Sequence, residues 1–81
     1  MWYVYIIRSL EYNWHYVGIT NSLERRIGEH NLKKVSSTKR YAPLELVWSK
    51  EFETEKEARL YEKLLKDKRI EKEKIIRSLN I

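Results

Sequence analysis

The stretch that decides the fold is "HYVGITNSLERRIGEH", His15–His30. It opens on aromatic and β-branched residues, passes Gly18, and turns at Asn21 into a charged segment. Asn21 is suited to cap a helix, with Glu24 three residues on in the manner of a capping box. The spacing predicts a helix running to about Asn31. At about 100° per residue, Leu23 and Ile27 share the buried stripe of that helix. His30 falls about 20° from Leu23 and Arg26 about 60° from it, whereas Arg25 points to solvent. The adjacent arginines are therefore two features: Arg25 is surface and Arg26 is aimed at the core edge. Gly18 weakens a strand and marks a bend or a close backbone approach.

Upstream, "WYVYIIRS" (Trp2–Ser9) is a strand by propensity. "LEYNWH" places Asn13 in a polar break, and the second run, Trp14–Thr20, pairs antiparallel with the first because so short a link leaves no room for a crossover. Tyr3, Tyr5 and Ile7 share one face of the first strand, with Val4 and Ile6 on the other. Trp14, Tyr16 and Gly18 share a face of the second.

Downstream, "LKKVSSTKRYAP" is a basic loop of about a dozen residues, long for a compact domain and so a functional candidate. "LELVWSKEF" (Leu44–Phe52) alternates Leu44, Leu46 and Trp48 as a third strand. "TEKE" (Thr54–Glu57) is a capping box opening a helix with Ala58, Leu60, Tyr61, Leu64 and Leu65. A break falls near Lys66–Lys68, and a last helix carries Ile70, Ile75, Ile76 and Leu79. The order β-β-α-β-α-α predicts an α+β fold: a small three-stranded antiparallel or mixed sheet flanked by about three helices. Residues 1–81 are expected to form one domain.

The 81-residue chain contains no cysteine, which excludes disulfides and thiolate metal sites and suits a reducing, cytoplasmic setting. No apolar run reaches the roughly 18 residues of a membrane span. The N-terminus lacks a basic leader and reads as a strand. Lysine and arginine outnumber acidic residues 17 to 12. Arg25, Arg26, Lys33, Lys34, Lys39 and Arg40 stand against Glu29 alone in their window, which holds the whole excess; elsewhere the charges balance. Clustered cation is the footprint of a polyanion partner. It is equally the signature of a solvated loop.

Each polar candidate carries two readings. Arg26 either snorkels over apolar surface or serves a site. His30 is either a hydrogen-bonded boundary histidine or a functional one. Glu62 lies about 40° past Ala58, at the edge of the second helix's apolar arc. A carboxylate there is either paired, with Arg26 or a helix lysine, or bound to a metal. Cross-strand tyrosines are ordinarily sheet packing.

Taken together, "YVY" (Tyr3–Tyr5), "YVG" (Tyr16–Gly18), an arginine ten residues after Tyr16 and a glutamate on a later helix resemble the GIY-YIG nuclease domain. The chain is most similar to small stand-alone bacterial proteins related to Slx-type structure-specific endonucleases, which share the run "YVGxT…LxRRxxEHN". The resemblance covers nearly the whole chain. It implies Tyr5 and Tyr16 as motif tyrosines, Gly18 as a close-approach position beneath the substrate, and Arg26 as catalytic arginine. His30 matches a histidine one turn later, and Glu62 the carboxylate that holds one Mg²⁺ or Mn²⁺ ion. Departures are Tyr3 at the first motif's glycine, Ile19 where excision-repair incision subunits often carry lysine, and Lys68 where relatives often carry an aromatic residue.

The activity implied by the resemblance is that of a metal-dependent endonuclease acting on nucleic acid, DNA before RNA, structure-dependent or non-specific, in a DNA-repair setting. Lys33, Lys34, Lys39 and Arg40, with Arg25, would grip the phosphate backbone without reading bases. Either Tyr5 or Tyr16 would be the general base. Two other expectations stand beside it: a nucleic-acid-binding module of the same fold with little or no activity, and a subunit acting with a protein partner or as a weak homodimer.

Overall fold

The computed structural model describes residues 1–79. β1 (Trp2–Ser9), β2 (His15–Thr20) and β3 (Leu44–Phe52) form one antiparallel sheet in the order β2-β1-β3. α1 (Leu23–Asn31) follows β2, and α2 (Glu55–Asp67) and α3 (Arg69–Ser78) follow β3. The α+β order read from the sequence is the order of the structure.

β1 is the central strand, and its four consecutive residues Val4–Ile7 are all buried because both faces of the sheet are covered. Side chains alternate across a strand, so the two faces build two cores. Val4, Ile6 and Val17 pack with Ala58 and Leu65 of α2, joined by Trp48, Phe52 and Tyr61. Tyr5 and Ile7 pack with Leu44, joined by Leu23 and Ile27 of α1 and by Trp14, Tyr16 and Tyr41. A fully buried leucine such as Leu65 contributes about 1.5–3 kcal/mol.

Two local expectations are corrected. Asn21 does not cap α1: Ser22 is the N-cap residue, without a side-chain cap bond, while Asn21 Oδ1 accepts from Arg25 Nη2 at 3.0 Å. Thr20 Oγ1 takes the local role instead, accepting from the Ser22 N–H at 3.1 Å. β3 does not alternate as one run. Ile6 pairs with Trp48 and Ile7 with Leu46, so Val47 is an extra residue in a bulge. A bulge shifts the phase of a strand by one residue. Leu44 therefore faces Tyr5, Trp48 faces the opposite core, and Leu46 is 40% exposed. The break before the last helix falls at Lys68. The Thr54 cap holds as expected: Glu57 N–H donates to Thr54 Oγ1 at 3.2 Å.

The loop from 32 to 43 is fastened at its ends and its middle. Asn31 pairs through both side-chain atoms with the Leu44 backbone, accepting its N–H at 2.7 Å and donating to its carbonyl at 2.9 Å. Ser9 Oγ donates to the Tyr41 carbonyl at 2.7 Å. α1 closes with Lys33 N–H donating to the His30 carbonyl and Lys34 N–H to the Glu29 carbonyl. That pattern is a Schellman motif with Lys33 in the left-handed position, at φ 61°. Among the described residues, no helix is long and apolar enough to cross a membrane.

Candidate active site

Tyr5 lies opposite Gly18 across the β1–β2 ladder. A β-carbon on Gly18 would collide with the Tyr5 phenol. Gly18, expected to let a substrate pass closely, thus makes room for a tyrosine of its own sheet. The phenol so admitted meets α1. Tyr5 Oη and His30 Nε2 are 2.8 Å apart, and His30 Nδ1 is 2.7 Å from Thr38 Oγ1. Thr38 Oγ1 donates to the Val35 carbonyl at 3.4 Å. With its proton so engaged, Thr38 accepts from His30 Nδ1–H. Nε2 is then the lone-pair nitrogen, and it accepts from the Tyr5 hydroxyl. His30 and Thr38 are completely buried, and Tyr5 is 1% exposed. His30 is therefore a core histidine by position, but one bonded to a motif tyrosine.

The electrostatics fit that direction of bonding. Burial pushes the Tyr5 hydroxyl up to about 12, against the pull of the Arg26 guanidinium beside it. Burial, and then the charge of Arg26, hold His30 below its ordinary value. Both groups are neutral at pH 7. Arg26 also donates to Glu29 Oε1 at 3.0 Å, and this bond, ahead of the one to Tyr5, holds it charged against its burial. Arg25, exposed, reaches Glu29 Oε2 at 3.4 Å.

β2 is an edge strand, and α2 reaches past that edge. Lys66 Nζ lies 5.5 Å from the centre of the Tyr16 ring, and the same ammonium is 3.3 Å from Glu62 Oε2. The Glu62 side chain is only 17% exposed, and its charge is felt at Tyr5. The Tyr16 ring is 5.5 Å from that of His30. Tyr5, Tyr16, Arg26, His30 and Glu62 are thus linked by successive contacts beside β2, and Arg26 and Glu62 form no ion pair with each other. Tyr16 is half-buried and lines an open cavity, whereas Tyr5 is enclosed.

Glu62 is a single hard oxygen donor, and among the described residues no group of three or more histidine, cysteine or acidic side chains gathers as a metal cage. Such a donor suits Mg²⁺, which is commonly held by one or two carboxylates, retained waters and substrate phosphate. Lys33, Lys34, Lys39 and Arg40 are exposed on the loop that carries the buried Thr38. One participant escaped the sequence reading: Thr38 sits in a loop without periodicity, so nothing marks it as buried. The helix lysine expected as a partner of Glu62 is Lys66, four residues on, where a helix places it on the same face.

A sequence-family model of the GIY-YIG catalytic domain matches residues 1–74. The chain belongs to the GIY-YIG family. A UPF0213 protein of Vibrio parahaemolyticus, VPA1222, is 43% identical over 54 residues, which are 65% of this chain and 50% of that protein. The chain thus aligns with about half the length of the curated relative it matches. No solved structure matches. Membership places this GIY-YIG domain among nucleases, which hydrolyse phosphodiester bonds.

Proposed function

We propose that this GIY-YIG domain is a divalent-metal-dependent endonuclease acting on DNA, by backbone shape rather than base sequence. The reading rests on Tyr16, Arg26 and Glu62 being joined through the buried Tyr5–His30–Thr38 chain and Lys66 beside β2.

Arg26 presents a planar fork to a non-bridging phosphate oxygen. The buried chain holds the Tyr5 oxygen against Arg26 and so fixes the direction of that fork. Tyr5 is a poor base, because its proton is retained to about 12 and donated to His30. Tyr16, at the open cavity, is the tyrosine that meets solvent. Its phenol oxygen takes a proton from the attacking water, handing its own hydroxyl proton to solvent, while the new P–O bond forms. The bond to the leaving sugar oxygen breaks, and that oxygen takes a proton from solvent. Glu62 would hold one Mg²⁺ or Mn²⁺ ion, which when bound would neutralise charge developing on the phosphate.

A second reading, binding without cleavage, has an observation in its favour: Arg26 already pairs with Glu29 and Glu62 with Lys66. Partly exposed pairs three or four residues apart contribute only about 0.3–0.5 kcal/mol. A phosphate or a divalent ion displaces partners that weak, so the pairs do not disable the site.

The deciding experiment incubates purified protein with Mg²⁺ and flapped, branched or plasmid DNA, with EDTA and RNA arms. Wild type cleaves DNA, and Glu62→Gln lowers the rate by about 100-fold or more. Equal cleavage by Glu62→Gln overturns the assignment. Salt-sensitive binding with no cleavage on any substrate establishes the second reading.

A further inference from the structure

A trough runs away from the candidate site on the far side of Tyr16. Its first part is a cavity of about 420 Å³ between β2 and the α2–α3 junction, walled by His15, Tyr16, Lys66, Arg69 and Lys72. A second cavity, of about 400 Å³, adjoins it, sharing His15, Arg69 and Lys72 and continuing to Trp14. Each part has the volume of a ligand pocket rather than of a single-ion site.

Three cations from two helices meet here. Lys66 lies in the last turn of α2, while Arg69 and Lys72 lie one turn apart at the start of α3. The one carboxylate on the wall, Glu73, already accepts from Arg69 Nε at 2.9 Å. Lys72 is half-buried, and among the described residues no carboxylate stands within ion-pair distance of it. A partly buried ammonium beside a guanidinium is costly unless an anion joins it. Burial, and then Arg69, lower the affinity of Lys72 for its proton, as that cost requires. His15 lines both cavities, and its Nε2 is buried without a hydrogen-bond partner among the described residues. Buried polar atoms are rarely left so, and the missing partner is one the protein does not supply.

The trough is continuous with the rest of the cationic surface. Lys66 links it to Glu62 and Tyr16. At the other end Trp14 stacks on Tyr41, with ring centres 3.8 Å apart, and Arg40 lies over Tyr41. The path from Glu62 through Lys66, Arg69 and Lys72 to Arg40 is one a chain of phosphates can follow.

We propose that this trough is a second phosphate-binding track, which seats the nucleic-acid strand on one side of the cleaved bond through Arg69, Lys72 and Lys66. The assignment rests on the nuclease reading for its direction, but its test does not need cleavage. Binding of a labelled single-stranded oligonucleotide is measured in EDTA by fluorescence anisotropy across a salt series. Removing one side chain that neutralises a phosphate lowers the slope of log K against log salt by about 0.7. Arg69→Gln with Lys72→Gln therefore lowers it by about 1.4, and Arg69→Gln alone, on an exposed side chain, by about half of that. Lys63→Gln with Lys74→Gln removes the same charge from α2 and α3 away from the trough, and leaves the slope nearly unchanged. Equal slopes for wild type and trough variants, or an equal fall in the control, overturn the proposal. So does inorganic phosphate binding that the trough variants lose while oligonucleotide binding is intact, because the trough then serves a free anion. Oligonucleotide binding that depends on the trough, in a protein that never cleaves, refutes the nuclease reading and leaves this one standing.

Discussion

The Tyr5 hydroxyl fills the space that a β-carbon on Gly18 would take. The two residues face each other across the ladder, so the smallest side chain in β2 is the condition for the largest one buried in β1. Gly18→Ala must push the phenol aside or part the strands. Overpacking of this kind costs about 1–3 kcal/mol. The expected result is a lower melting temperature together with lower activity, because the displaced phenol no longer reaches His30. Unchanged values of both contradict the close packing.

Thr38 acts on the site through His30 alone. Thr38→Val keeps the shape and removes the oxygen that receives Nδ1–H. An unpaired buried donor costs about 1–3 kcal/mol. Loss of the fixed tautomer also frees Tyr5 and Arg26 to shift, and misplacement by about 1 Å costs up to about 100-fold in rate. Thr38→Ser restores the hydroxyl and most of the activity. The comparison of kcat for the two variants checks this, and equal kcat values refute the role of the hydroxyl.

Stability depends on pH at two limits. Burial holds His30 and His15 below the ordinary 6.5, and Lys72 and Arg8 add to the effect at His15. The unfolded chain takes up those protons near pH 6.5, and the folded one resists. Their contribution is therefore present above about pH 6.5 and lost as pH falls below it. Tyr5 works in the other direction. Its proton is held to about 12 in the fold and released near 10 when unfolded, so its contribution is full below pH 10 and fades between 10 and about 12. Melting temperatures from about pH 5 to 11 give both limbs, and Tyr5→Phe flattens the alkaline one. A flat acid limb contradicts the buried neutral imidazoles.

Lys33 holds a backbone position suited to glycine. A left-handed conformation costs a residue with a side chain about 1–2 kcal/mol, part of which glycine returns as freedom in the unfolded chain. Lys33→Gly is expected to stabilise by about 0.5–1 kcal/mol and to raise the melting temperature by several degrees. A lowered melting temperature contradicts the Schellman closure.

The helix and strand periods made most of this architecture readable. Val4 and Ile6 against Tyr5 and Ile7, and Arg26 against Arg25, follow from geometry that depends on few neighbours. The features that escaped depend on contacts between distant residues. The bulge at Val47 is imposed by pairing with β1, and no alternation in "LELVW" announces it. Asn21 and Ser22 are both good caps, and only the path out of β2 chooses between them. Gly18 was seen to allow a close approach, but the neighbour was hidden in another strand. The trough unites His15, Lys66 and Lys72, three residues no local pattern connects, whereas the loop cations declared themselves by density alone.

The clamp between Asn31 and Leu44 has a consequence for how such a domain can change. It fixes where α1 ends and β3 begins, whatever lies between them. Thr38 divides the enclosed segment into two short arcs, 32–37 and 39–43. Doubling the length of a loop adds only about 0.6 kcal/mol of closure entropy. The first arc can therefore be lengthened or rewritten as a cassette, while Tyr41 keeps the second in place through Ser9 and Trp14, so that a new grip on substrate is acquired while the helix, the strand and the tyrosine beneath them keep their places.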